Sequence, residues 1–203
     1  MRKLDKKESE ILGIMFGDGS IYKAGRGALL KIEITGHKVE DRDYLLGHVA
    51  PLFLAVFGLR MKPYYKRDEN TMRIYAYSNE VAMELNSWGM PIGPKKNAIL
   101  LPRVRIVPMA FIRGLFDTDG CVYRKYGPYV QLQFKSISKE LMTFTRTLLV
   151  EHGLHPTRII RDETRYKFYI CRQEEVKAFF RDLVRPANTK HLRRLRAVWG
   201  AVL

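Results

Sequence analysis

Three features of the sequence predict an α+β protein made of two pseudo-symmetric αββαββα repeats. A set of motifs recurs in the same order in both halves, apolar and polar residues alternate with period two after each recurrence, and helix start and stop signals flank it. ILGIMFGDGSIYK (11–23) and IRGLFDTDGCVYR (112–124) match at Gly13, Asp18, Gly19 and Tyr22 against Gly114, Asp119, Gly120 and Tyr123. KIEITGHKVE (31–40) then parallels QLQFKSISKE (131–140). The helical patterns that follow end at Phe57-Gly58-Leu59 and His152-Gly153-Leu154, and RDENTMRIYAY (67–77) parallels RDETRYKFYIC (161–171). Chance gives one short match, not an ordered series. The chain is therefore expected to be a tandem duplication, with a first repeat at 1–100, a linker at 101–108 containing Pro102 and Pro108, and a second repeat at 109–203.

The elements follow in order within each repeat. Asp5 and Glu8 form a D-x-x-E capping box ahead of the first apolar run, and Gly19 is the expected stop of that helix. In the second repeat Pro108 suits a first helical position and Gly120 the stop. Leu30, Ile32 and Ile34 alternate with Lys31, Glu33 and Thr35, and Val130, Leu132 and Phe134 alternate with Gln131, Gln133 and Lys135. Later, Ile74 and Ala76 lie between Arg73, Tyr75 and Tyr77, and Phe168 and Ile170 between Lys167, Tyr169 and Cys171. Such alternation gives antiparallel sheets with one face under helices and the other open. The open faces carry Arg60, Lys62, Lys66, Arg73, Lys135, Arg161 and Lys167, nearly all of one sign. A merely solvated face mixes charges, so a nucleic-acid surface is expected.

Composition agrees. With 203 residues and 46% hydrophobic content the chain can bury an ordinary core, and 36 Lys and Arg against 21 Asp and Glu give a net charge of +15, a field that attracts polyanions. No apolar stretch is long enough to span a bilayer and MRKLDKKESEILG carries no signal-peptide core, so no membrane partner and a soluble, cytoplasmic location are expected. Cys121 and Cys171 form neither a disulfide framework nor a zinc cluster.

The repeated helix carries the chemistry. Gly13 and Gly17 lie four apart, as do Gly114 and Thr118, so each helix bears a small-residue stripe along which another backbone can approach, and the two motif helices are expected to pack together at the centre. Asp18 and Asp119 then stand at the helix C-termini, where the dipole disfavours a carboxylate by about 0.3–1 kcal/mol. An acid at that point in both repeats makes sense when a divalent cation offsets the crowded charge.

At these residues the chain resembles the LAGLIDADG homing endonucleases. Residues 11–19 and 112–120 match the paired nine-residue motif in register, and the likeness covers nearly the whole chain. The resemblance implies two sheets forming a saddle in the DNA major groove. It implies Asp18 and Asp119 as metal ligands and catalytic carboxylates, with the carbonyls of Gly17 and Thr118 as further ligands. Phe16 replaces the motif's first acid and Asp117 retains it; neither is assigned as a ligand. A basic residue beside each scissile phosphate maps best to Lys96 and Lys190, with Lys95 as an adjacent rival. The family's polar residue after the strand is replaced by Gly36 and Ser136, with His37 or ordered water as candidate substitutes. DNA contacts are expected from Tyr22, Lys31, Glu33, Thr35, Arg60, Lys62, Arg73, Tyr75 and Tyr77, and from Tyr123, Gln131, Gln133, Lys135, Arg161, Lys167 and Tyr169.

The implied activity is a Mg²⁺-dependent double-strand break in a long, non-palindromic DNA site, leaving 3′ overhangs, by a monomer that is intron-encoded. Mn²⁺ is the expected substitute, and Ca²⁺ is expected to support binding without cleavage. The ending Ala201-Val202-Leu203 lacks an intein's His-Asn pair, so a free-standing protein is expected. Two other functions fit the same fold: an RNA maturase acting on its own intron RNA, and a DNA-binding regulator that has lost cleavage. Retention of both acids favours the enzyme.

Overall fold

Asp5 and Glu8 do cap each other. The Asp5 carboxylate accepts the Glu8 N–H and the Glu8 carboxylate accepts the Asp5 N–H, both at 2.8 Å, and α1 (Lys6–Phe16) follows. In this computed structural model, which describes residues 2–25, 28–98 and 100–200, α1 stops at Gly17, two residues before the expected Gly19. The strand β1 (Gly19–Lys23) already takes up the chain there, so Asp18 stands in the joint between helix and strand. In the second repeat Pro108 opens α5 (Pro108–Asp119), Asp119 is its last residue and Gly120 its cap.

Period-two patterning becomes two four-stranded antiparallel sheets. The first, ordered β1-β2-β4-β3, joins β1 to β2 (Leu30–His37), β4 (Thr71–Tyr77) and β3 (Lys62–Tyr65). The second, ordered β5-β6-β8-β7, joins β5 (Cys121–Tyr126), β6 (Tyr129–Ser136), β8 (Arg165–Ile170) and β7 (Ile160–Asp162). The helical run α2 (Arg42–Tyr44), a π turn at Leu45–Val49 and α3 (Ala50–Phe57) connects the two hairpins of the first sheet; α6 (Lys139–Glu151) does so in the second. Both runs end at left-handed glycines, Gly58 and Gly153, where a side chain would be strained. The first repeat closes with α4 (Asn79–Ser87), the second with α7 (Gln173–Ala178) and a π turn at Phe179–Leu183. One further helix, α8 (Thr189–Trp199), lies outside the αββαββα pattern; the Asn188 side chain caps it.

One apolar core runs through both repeats, because α1 and α5 cross against each other within it. A Cβ added at Gly13 would lie 2.1 Å from the Phe111 carbonyl oxygen, and one added at Gly114 would lie 2.1 Å from that of Glu10. Phe16 and Phe111 meet edge to face beside this crossing, at 5.7 Å. Glu10 of α1 pairs with Arg113 of α5 at 3.4 Å and with His48 at 2.6 Å. No helix among the described residues is long and apolar enough to cross a membrane.

Candidate active site

The crossing carries Asp18 and Asp119 to the same end of the two helices. Asp18 is half-buried and Asp119 exposed. Burial and then the charge of Asp119 push the Asp18 carboxyl up to about 7, with Lys190 and Lys95 opposing. Asp119 is also raised, by the packed protein around it even though its side chain reaches solvent; Lys95, Arg165 and Lys190 counter this. Two crowded carboxylates at the ends of the two motif helices suit a hard, oxygen-seeking divalent cation, and no cluster of three or more His, Cys, Asp or Glu side chains among the described residues could hold a metal ion by itself.

Of the two adjacent lysines it is Lys95 that enters this centre. Its ammonium donates to the carbonyls of Phe16, at 3.0 Å, and Gly17, capping the C-terminus of α1. Burial lowers Lys95 to about 8, against the pull of Asp119 and Asp18. Lys96, the expected residue, is exposed, whereas Lys95, its rival, is half-buried. The short 3₁₀ turn Lys95–Asn97 sets which of the pair faces inward. The expected metal ligand Gly17 O is held by Lys95. Thr118 is buried, its hydroxyl donating to the carbonyls of Gly114 and Leu115.

Lys190 sits at the start of α8, buried, in an ion pair with Asp41 at 2.9 Å. Sequence reasoning did not single out Asp41. Its carboxylate also accepts the side-chain amide of Asn188 at 2.8 Å and the N–H of His37 at 2.8 Å. Burial opposes the Asp41 charge, but Lys190 and these hydrogen bonds outweigh it and hold the carboxyl below its ordinary range. The site exists because residue 36 is glycine: a Cβ there would lie 2.9 Å from the Cβ of Asp41. His37 is exposed, its ring nitrogen accepting the N–H groups of Val39 and Glu40. Asp117 ties Asn188 down through the N–H groups of Ala187 and Asn188, at 2.8 and 3.1 Å.

The other half differs. Around Asp119 a cleft opens, lined by Gly17, Lys95, Lys135, Ser136 and Arg165. Arg165, also missed from the sequence, adds positive charge beside Asp119.

Strand register sorts the expected DNA-facing residues. Tyr22, Lys31 and Tyr77 form one row across the first sheet, Glu33, Tyr75 and Lys62 the next, and Thr35 and Arg73 a third. Glu33 is buried beneath its neighbours: Tyr22 donates to it at 3.0 Å, and Lys31 and Arg73 pair with it at 2.5 and 3.4 Å. In the second sheet Tyr123 pairs with Gln131, Gln133 with Tyr169, and Lys135 with Lys167. The two lysines share Asp162, at 2.7 and 3.0 Å. Arg60 is exposed, ahead of β3 rather than within it. Arg161 departs from the expectation: it pairs with Tyr166, which packs on the core, so it lies on the opposite face from Lys167.

The family of LAGLIDADG-like domains matches residues 107–183. Mesophilic variants of the homing endonuclease I-DmoI superpose with a TM-score of 0.64 at 19% identity, over 89% of this chain and 96% of that one. I-DmoI in complex with DNA and Mn gives 0.63 at 18%, over 88% and 96%. The LAGLIDADG meganuclease I-AabMI bound to uncleaved DNA gives 0.60 at 13%, over 93% and 87%. No curated protein sequence matches the chain. Residues 107–183 thus match the LAGLIDADG-like domain, and the chain as a whole has the two-sheet fold of the single-chain LAGLIDADG homing endonucleases.

Proposed function

We propose that the chain is a site-specific endonuclease that hydrolyses one phosphodiester on each strand of a long, non-palindromic DNA, as a monomer and as the product of an intron-encoded gene. The observation that carries this is the meeting of Asp18 and Asp119 at the end of the α1–α5 crossing, flanked by Lys95 and Lys190. Asp18, Asp119 and the carbonyl of Thr118 would hold Mg²⁺, or Mn²⁺ in its place. When bound, such an ion lowers the pKa of water and stabilises charge on the leaving oxygen. Lys95 and Lys190 supply positive charge beside the two scissile phosphates. The open faces of the sheets hold the duplex, through Tyr22, Lys31, Thr35, Lys62, Arg73, Tyr75 and Tyr77 on one side and Tyr123, Gln131, Gln133, Lys135, Lys167 and Tyr169 on the other. Contacts of this kind make affinity fall steeply with salt.

A second function, a DNA-binding regulator without cleavage, gains support from Lys95, whose ammonium holds the Gly17 carbonyl that would otherwise face a cation. Incubation with a library of randomised duplexes in Mg²⁺, followed by sequencing of the new ends, separates the two. The endonuclease gives one site with paired, staggered ends and 3′ overhangs. Binding of a selected duplex with no cut in Mg²⁺ or Mn²⁺ would leave the regulator.

A further inference from the structure

The two halves of the centre are not equivalent in how they hold their lysines. Lys95 rests on two backbone carbonyls beside the open cleft that contains Asp119 and Ser136. Lys190 is held by a carboxylate, Asp41, in the space that Gly36 leaves empty. Asp41 belongs to the first repeat and Lys190 to the second, so the ion pair bridges the repeats. Ser138, which caps α6 as Asp41 precedes α2, has no carboxylate to offer a lysine.

The geometry points to Asp41 as a positioning residue that fixes Lys190 for one of the two strand cleavages only, with Gly36 providing the room it needs. The proposal rests on the endonuclease function above. Three donors converge on the Asp41 carboxylate: the Lys190 ammonium, the Asn188 amide and the His37 N–H. Asparagine in its place would turn an NH₂ group toward donors, so at least one of the three loses its acceptor, and the lysine loses the opposite charge that keeps it buried. Lys190 then swings out toward solvent, while Lys95 on its carbonyls is untouched. A misplacement of about 1 Å at a catalytic group can slow a step about 100-fold. The chain becomes, in effect, a nickase.

Two measurements test this. The first needs no DNA: lysine acylation of the folded protein, read by mass spectrometry, with exposed Lys96 as internal standard. In the wild type Lys190 is protected relative to Lys96. In Asp41→Asn it reacts as fast as Lys96, and in Gly36→Ala, where the new methyl displaces Asp41 without removing its charge, it does the same. Lys190 staying protected in either folded variant overturns the clamp, whether or not the protein cuts DNA. The second measurement uses a supercoiled plasmid carrying the site recovered by selection. Both variants should cut one strand at the wild-type rate and the other about 10- to 100-fold more slowly, so that nicked circle accumulates. Equal slowing of both strands, as a merely structural role would give, or no slowing of either, overturns the strand assignment. A wild-type protein that does not cut at all refutes the endonuclease function, and the acylation result still decides the clamp.

Discussion

Gly13 and Gly114 lie face to face so closely that a methyl group on either would sit 2.1 Å from a carbonyl oxygen of the other's helix. The contact is reciprocal: Gly13 meets Phe111 and Leu115, Gly114 meets Glu10 and Ile14. The obstacle is backbone on both sides, so it cannot be relieved by a rotamer change. Gly13→Ala and Gly114→Ala should each cost about 3 kcal/mol, at the upper end of overpacking penalties, and lower the melting temperature by about 6 °C or more. Thermal melts of the two variants check this. A change below about 2 °C would show that the helices are free to move apart.

Asp18→Asn and Asp119→Asn keep the shape of the side chain and remove a charge that the fold disfavours, since burial raises both carboxyls. Each variant should lose cleavage of both strands, retain duplex binding in Ca²⁺, and melt higher than the wild type in chelator. Double-strand cleavage at the wild-type level by either folded variant refutes the assignment of these acids.

Lys95→Met should reduce cleavage about 100-fold, in the range of a lost acid–base or electrostatic group, whereas Lys96→Met should stay near the wild type. Single-turnover rates on the selected site distinguish them. Equal loss in both variants, or greater loss at Lys96, would contradict the inward orientation of Lys95.

His48 is held above its ordinary pKa, first by its hydrogen bond to Glu10. A raised histidine stabilises the fold fully below its unfolded value near 6.5, and that contribution is lost as pH rises through the folded value. The melting temperature of the wild type should therefore decline across that interval, with a smaller decline in His48→Gln. Parallel pH profiles for the two proteins would show that the pair contributes nothing to stability.

Glu33 anchors Lys31 and Arg73 on the first sheet, where the second sheet has Gln133 paired with the Tyr169 hydroxyl. Glu33→Gln should release these two cations and alter base preference in one half-site only, by about 1–3 kcal/mol at the affected pair. Profiling single-base variants of the target reads the effect. Matching changes in both halves would be inconsistent with this placement.

Much of this was legible in the sequence because it depends on local periodicity. Alternation at Lys31, Glu33 and Thr35 fixes which side chains share a face wherever the strand is long enough, and the paired Gly13 and Gly114 mark a helix contact without any knowledge of distance. Periodicity fails where one residue of register decides the outcome. Lys95 and Lys96 are distinguished only by a short 3₁₀ turn, and Arg161 lies on a three-residue edge strand whose pairing with Tyr166 no pattern announces. Burial of Glu33 under its neighbours was equally hidden, because alternation says which face a residue takes and not who covers it. Asp41 escaped for a different reason: its partners Asn188 and Lys190 lie at the far end of the chain, and only tertiary packing brings them together.

Gly17 and Thr118 occupy the same contact from opposite sides, and a Cβ on Gly17 would fall 2.0 Å from the Thr118 hydroxyl oxygen. The joint is built as unlike halves: one side supplies the volume that the other lacks. Two copies of the second repeat would bring threonine against threonine where not even a methyl group on Gly17 fits. Tethering in one chain guarantees that each side always meets its complement.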